Sequence, residues 1–505
     1  MCGIGGVVFR NKAVERSRLS KMASFSNERG PDNTGLWIDA NMGFYHNRLS
    51  IIDLSQSANQ PMVKENHVIV FNGEIYNFKQ LKKEIENLGS SFKTNSDTEV
   101  ILEGYKVWGI DKLVSKLDGM FAFSILDRAK QSMVLVRDRF GKKPLYYLKN
   151  NLKFTFSSDI RAIKWEEPNL TVNYNSIDYF LSELTVPQPN SIWNEVKQVE
   201  AGFYMTYNFS TNEIEHKKYH SFQFADEKLT FNNEESLLDE LESKLTKAIT
   251  KRTLADVPIG CFLSGGVDSG LIVALLAENS SKPVKTYTVG FENKDYNEIS
   301  EAKLVYEKYA TQHTELMMPK SDIGNLLIDL TKYIGEPFAD PSIIPTYLIS
   351  KEISNHVKVA LSGDGGDEVF GGYGEYLTAY QSEVFSKSNS PNVQKIKALY
   401  SKFNNRVLKK SDRSSLFYSF SNQLPSQKLN RNIGFSDSEK IKLYKAKHLK
   451  PFYSELYLNE LWDENSNNIS STDDFILTSL RTRLLNDYLV KVDRMSMRSS
   501  LEVRS

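Results

Sequence analysis

Cysteine is almost missing from this chain: its 505 residues include two, Cys2 and Cys261. Two thiols so far apart give no disulfide framework, which excludes the small stapled secreted folds and fits a reducing cytoplasm. The sequons Asn208-Phe209-Ser210 and Asn468-Ile469-Ser470 are then chance matches. Net charge is missing as well. Because 63 basic residues balance 63 acidic ones, there is no electrostatic footprint for nucleic acid or an anionic membrane. No stretch approaches ~18 uninterrupted apolar residues, so no membrane span is expected. The amino terminus lacks a basic stretch ahead of an apolar one, and Arg10 ends its first apolar run, so no secretory signal is expected. These absences point to a soluble, cytoplasmic protein. At 505 residues the chain is too long for one core, and two or three domains are expected.

What is present begins at once, with Met1-Cys2-Gly3-Ile4-Gly5-Gly6. Removal of Met1, which a small second residue favours, would leave a thiol and an amine on one carbon. The amine can then act as the base for its own nucleophile, and no histidine is needed. A small buried core cysteine in a first strand is the plainer reading of the same residue.

From Cys2 to about Tyr207 short β-like runs alternate with Gly, Asn and Asp: Ile4–Phe9, Val68–Phe71, Phe121–Leu126, Met133–Arg137, Pro144–Tyr147 and Lys153–Ser157. A helix is expected over Phe78–Leu88, with Leu81, Ile85 and Leu88 on its apolar face. This is an α+β domain of packed antiparallel sheets, assigned to residues 2–207. The polar stretch 208–233 reads as a linker. A helix over Glu234–Thr250, capped by Asn232 or Asn233, carries Leu237, Leu238, Leu241, Leu245 and Ile249 at helical spacing and opens a second domain, 234–505. Strands Ile259–Leu263, Val284–Phe291 and Val357–Leu361 alternate with helices Gly270–Glu278 and Ser300–Ala310, which implies a parallel sheet. Gln381–Ser470, rich in Ser, Asn and Lys, carries no readable function.

Two loops in this second domain carry chemistry. Ser264-Gly265-Gly266-Val267-Asp268-Ser269 joins a strand to a helix, a geometry that aims backbone N–H groups at one spot and suits a phosphate. The Lys-Ser/Thr ending of a Walker loop is absent; Asp268 supplies instead a carboxylate suited to Mg²⁺. Ser362-Gly363-Asp364-Gly365-Gly366-Asp367-Glu368 follows another strand and places three carboxylates within five residues, which a cation would reconcile. A plain strand-to-helix corner and a solvated acidic turn are the alternatives. At the C-terminal ends of two parallel strands, the loops could face one crevice.

With these motifs the chain resembles the glutamine-hydrolysing asparagine synthetase family, a class II glutamine amidotransferase joined to an ATP-pyrophosphatase-type synthetase. The resemblance covers essentially the whole chain. It rests on Met1–Ile4, Arg29-Gly30-Pro31-Asp32, Asn47–Ile51, Phe71–Asn77, Ser96–Glu99, Ser264–Ser269, Glu336–Asp340, Ser362–Glu368 and Val490–Arg494. It implies an N-terminal Ntn-hydrolase-like αββα sandwich, then an α/β parallel-sheet domain of the adenine nucleotide α-hydrolase-like type. It also implies that Cys2 attacks the glutamine amide, with Asn72 and Gly73 forming the oxyanion hole. Arg48 would pair with the glutamine α-carboxylate, and Glu74 and Asp97 would receive its α-ammonium. ATP would lie on Ser264, Gly265, Gly266 and Ser269, with Leu263, Val289, Ser362 and Gly363 about the adenosine. Asp268 and Asp367 would hold Mg²⁺, and Lys491 would stabilise charge at the α-phosphate. The expected reaction converts aspartate to asparagine through β-aspartyl-AMP, releasing AMP, pyrophosphate and glutamate. Ammonia would cross between the sites by a tunnel whose lining the sequence does not identify. Family members are often homodimers, which is the expectation for assembly.

Two departures qualify this. Asp364 stands where the family has Glu near the reacting carboxylate, which leaves room for another acceptor such as a sugar uronate. The chain ends at Glu502-Val503-Arg504-Ser505, where the family continues into further helices, so the synthetase domain is expected to be C-terminally incomplete and a glutaminase alone is an alternative. A binding module without catalysis is disfavoured by the intact Cys2, Asn72, Asp268, Asp367 and Lys491. His216 and His220 stand four apart but lack the Glu of a zinc-protease helix, so no zinc site is expected. Met495 and Met497 read as core residues.

Overall fold

The computed structural model describes residues 2–224, 233–290, 298–317, 323–387, 390, 433–444, 453–465 and 471–505. Asn232, Phe291, the sequon at Asn468 and most of Gln381–Ser470 lie outside the described residues.

Alternation builds the first half. In the strand Gly3–Phe9, Ile4 and Val8 point one way and Val7 and Phe9 the other; in His67–Ile75, Val68 and Val70 oppose Ile69 and Phe71. Ile4, Val8, Val68, Val70, Ala122, Leu126 and Phe156 share one core, the seam between two sheets. Ile69, Phe71, Phe123 and Ile125 face outward onto helices Phe78–Glu86 and Asp97–Lys116. Val7 and Phe9 pack on Leu19 and Met22 of helix Arg16–Ser24. The result is the expected αββα sandwich, each sheet six-stranded and antiparallel throughout. In spatial order the first sheet runs Val196–Gln198, Tyr146–Lys149, Lys153–Ser157, Gly3–Phe9, Met42–Arg48, Asn33–Asp39. The second runs Glu213–Lys218, Phe203–Asn208, Ser132–Arg137, Gly119–Asp127, His67–Ile75, Met62–Lys64.

Three local expectations shift. The stretch read as linker contains the edge strand Glu213–Lys218, because its charged Glu and Lys side chains suit a solvent-facing edge. The helix from Phe78 stops at Glu86 and leaves Leu88 exposed, the chain turning at Gly89 with φ 94°. Pro144 stays outside its strand, which starts at Tyr146.

Helix Glu234–Lys251 opens the second half, with the Asn233 side chain accepting the Ser236 N–H. Ile249 is buried while Leu237 and Leu238 stay exposed. A five-stranded parallel sheet follows in the order Gln312–Met317, Lys285–Gly290, Ile259–Phe262, Val359–Leu361, Glu502–Arg504. The strand order reverses between Ile259–Phe262 and Val359–Leu361, the place where an open parallel sheet leaves a crevice beyond the carboxyl ends of its strands. Among the described residues no helix is long and apolar enough to cross a membrane.

The halves share a core in which Leu49, Ile51, Tyr76 and Met120 meet Val359 and Met497. Helix Leu489–Met497, which continues a wide-turned segment Leu480–Tyr488, lies against both halves.

Candidate active sites

The period of the strands places the first site. Cys2 falls in phase with Ile4 and Val8, and Asn72 and Glu74 with Val68 and Val70, so all three look into the seam between the sheets. There the Cys2 N–H donates to Asn72 Oδ1 at 2.9 Å. Asn72 is fully buried and its Nδ2 has no hydrogen-bond partner among the described residues, leaving a free donor beside a nucleophile. Gly73 follows at φ 148°, where any Cβ would strike the Met120 carbonyl oxygen. Burial pushes the Cys2 thiol up, against the pull of the N-terminal ammonium, the Leu49 N–H and Arg48. The nearest buried histidine, His46, is held down to about 3 by burial and is neutral.

Glu74 and Asp97 share the seam's end. Burial, then Glu502, pushes Asp97 up to about 6, although its Oδ2 accepts the Ile75 N–H at 3.0 Å. Glu74 is raised by burial and by Glu502 and Asp97, and its Oε2 accepts no hydrogen bond among the described residues, with the Arg504 guanidinium 3.7 Å away. Two buried carboxylates, each raised by burial and by its acidic neighbours, are a fitting receptor for an ammonium group. Helix Asp97–Lys116 is capped by Ser96, leaving Asp97 free of that duty. The Arg48 fork is engaged by its own loop: Nη1 donates to Ser55 O and Asn59 Oδ1 at 2.9 and 2.7 Å, and Nη2 to the carbonyls of Ile52 and Asp53. Its fork organises the 52–59 loop here.

The second site is a cavity of about 940 Å³ at the strand-order reversal. Leu263, Ser264, Gly266, Ser269, Val289, Ser362, Gly363, Asp268, Asp364, Asp367 and Lys491 all line it. Gly265 does not; its N–H donates to the Glu298 carboxylate at 2.9 Å, an anion already resting on this loop. The two loops interlock. A Cβ on Gly366 would collide with the Asp268 carboxylate. The Asp268 carboxyl is raised by burial and by Asp367. Among the described residues no three acidic, His or Cys side chains form a metal cluster. Two carboxylates facing this cavity nevertheless fit Mg²⁺, which takes one or two carboxylates and fills its shell with phosphate oxygens and water. Lys491 Nζ lies 2.9 Å from Asp340 Oδ2 and 2.8 Å from Ser342 Oγ. Asp487 beside them is pushed up to about 7 by burial, then by Asp340.

Residues with no role in the sequence reading tie the sites together. Arg29 Nε donates to the Cys2 carbonyl at 3.0 Å, and its fork grips Asp493 at 2.8 and 3.1 Å. Lys143 reaches the same carboxylate at 3.2 Å. Arg29 and Asp493 stand inside quoted motifs, and that placement was their only local signal. His216 lies against Tyr147 and His220 against Phe222, ring to ring.

The glutamine amidotransferase domain family matches residues 1–220, and the asparagine synthase family matches residues 240–505. The glutamine-hydrolysing asparagine synthetase 1 of Bacillus subtilis (strain 168) is 31% identical over 100% of this chain and 79% of its own length. A Methanocaldococcus jannaschii relative given the same type of name is 35% identical over 77% of this chain and 78% of its own. The asparagine synthetase 3 of Bacillus subtilis is 31% identical over 75% of this chain and 64% of its own. A two-sheet sandwich with a cysteine in its seam, a parallel sheet with a glycine-and-aspartate crevice, and relatives spanning both: this chain belongs to the glutamine-hydrolysing asparagine synthetase family.

Proposed function

We propose that the protein forms asparagine from aspartate, taking nitrogen from glutamine and activation from ATP. The Cys2–Asn72 pairing, with Asn72 Nδ2 left free in a buried seam, carries this reading. With Met1 removed, the Cys2 amine takes the thiol proton and Sγ attacks the side-chain carbonyl carbon of glutamine. The oxyanion that forms accepts hydrogen bonds from Asn72 Nδ2 and the Gly73 N–H, each worth ~3 kcal/mol. The C–N bond breaks and ammonia leaves with the amine's proton; water then opens the thioester to glutamate. Glu74 and Asp97 receive the α-ammonium, and Arg48 exchanges loop carbonyls for the α-carboxylate.

In the cavity, aspartate's side-chain carboxylate attacks the α-phosphorus of ATP and pyrophosphate departs. Ammonia then displaces AMP from the acyl carbon, leaving the amide. Lys491 releases Asp340 to meet the charge growing at the α-phosphate. Asp268 and Asp367 would hold Mg²⁺, which supplies charge neutralisation on the pyrophosphate. Cytoplasmic work, argued from the scarcity of cysteine, and assembly as a homodimer, argued from resemblance, belong to the same reading.

The test is pyrophosphate release with ATP, Mg²⁺ and amide-¹⁵N glutamine, with and without aspartate. Aspartate-dependent pyrophosphate and label in asparagine are expected. Glutamate formation with no aspartate-dependent pyrophosphate would sink the aspartate reading.

A further inference from the structure

Arg504 stands between the two sites. It closes the edge strand Glu502–Arg504, and its side chain is 0% exposed. Nε donates to Glu502 Oε1 at 2.6 Å, and Nη1 donates to the carbonyls of Arg252 and Leu254 at 2.7 and 2.8 Å. Among the described residues Nη2 has no hydrogen-bond partner. It lies 3.7 Å from Glu74 Oε2, which has none either. Opposite charges thus face each other just beyond hydrogen-bond range, in a place where an unmet polar group is costly.

The main chain of the same residue looks the other way. The Arg504 carbonyl accepts the Ser362 N–H at 3.0 Å, in the parallel register that sets Leu361 opposite Arg504. Ser362 opens the acidic loop, and its Oγ donates to Asp364 at 2.6 Å. One residue therefore meets the glutamine-site carboxylate through its side chain and the nucleotide loop through its backbone.

We propose that Arg504 is a positioning residue that couples glutamine binding at Glu74 to occupancy of the nucleotide cavity. This rests on the reading of the two sites given above. An ammonium group arriving beside Glu74 and Asp97 competes with Nη2 for Glu74 Oε2, so the guanidinium must settle differently with and without glutamine. Its backbone transmits that choice to Ser362. Movement of the Ser362–Asp367 loop onto a nucleotide acts back along the same bond, because coupling between two binding sites is reciprocal.

The experiment uses the full chain with Cys2→Ala, which binds glutamine without consuming it. Calorimetric titration with α,β-methylene-ATP and Mg²⁺ is run with and without saturating glutamine. The nucleotide affinity is expected to change ~5-fold or more, and glutamine affinity by the same factor in the reverse titration. Adding Arg504→Lys, which keeps the charge and loses the fork, should bring the factor close to one while each ligand still binds alone. A merely structural role would lower the melting temperature or both affinities and leave the ratio intact. Since Arg504 is buried, Glu502→Gln, which loosens the Nε anchor, serves as a second variant and should also shrink the factor. Equal nucleotide affinity with and without glutamine, or a factor retained in both variants, overturns the proposal alone. Failure of either ligand to bind at all overturns the functional reading with it.

Discussion

With its carbonyl oxygen held by the Cys2 N–H, the Asn72 amide has one orientation open to it, and Nδ2 is thereby aimed at whatever enters the seam. Deleting the amide removes donor and aim together. Asn72→Ala should lower the glutaminase kcat by ~10²- to 10³-fold, with the glutamine KM much less affected, in an assay of glutamate release without ATP. An equal rise in KM with kcat unchanged would assign Asn72 to binding instead. At this scale the sequence pointed to chemistry through a cysteine next to Met1, and only through resemblance for Asn72-Gly73, which stands past the strand expected over Val68–Phe71. It assigned no role to Arg29, Asp493 or Arg504, although the first two stand inside motifs. Arg29 and Asp493 are 464 positions apart, and no local pattern announces such a pair.

The nucleotide crevice depends on two strand-to-helix loops close enough to exclude side chains from each other. Gly366 is the point of contact, since a methyl group there would meet the Asp268 carboxylate. Gly366→Ala should therefore lower pyrophosphate release ~10-fold or more, by displacing the Asp268 carboxylate, while glutaminase turnover persists, as small displacements of positioned groups cost rate steeply. Parallel assays of pyrophosphate and glutamate read the two separately. Strands Ile259–Phe262 and Val359–Leu361 were legible because apolar runs end in glycine-rich turns. Met42–Arg48 was not, because His46, Asn47 and Arg48 are polar yet buried, and their partners come from other elements. Glu502–Arg504 escaped for a like reason. Three residues, two of them charged, form a buried edge strand since Arg504 neutralises Glu502.

Across the whole molecule the halves are joined by charge as well as by apolar contact. Asp493 is buried between Arg29 and Lys143, and these two cations hold its carboxyl well below the usual range despite its burial. A carboxyl lowered in the folded state contributes stability above its unfolded value, 3.8, and loses it as pH falls toward the folded value. Asp493→Asn leaves two buried cations short of a counter-charge and should cost ~3–5 kcal/mol, seen as a lower melting temperature at neutral pH. The variant should also lose part of the native chain's extra sensitivity to acid. A melting temperature unchanged at neutral pH would show that the pair contributes nothing net.

Helix Leu489–Met497 presents Lys491 to the nucleotide cavity and Asp493 to the Arg29 that holds Cys2. Two positions along a helix are turned roughly 200° from each other, so these side chains look in opposite directions from a single rigid rod. The two catalytic halves are consequently not interchangeable parts. A glutaminase half grafted from a relative would have to bring its own match for Asp493 and Arg504, or the hybrid would fold around uncompensated charge at its seam.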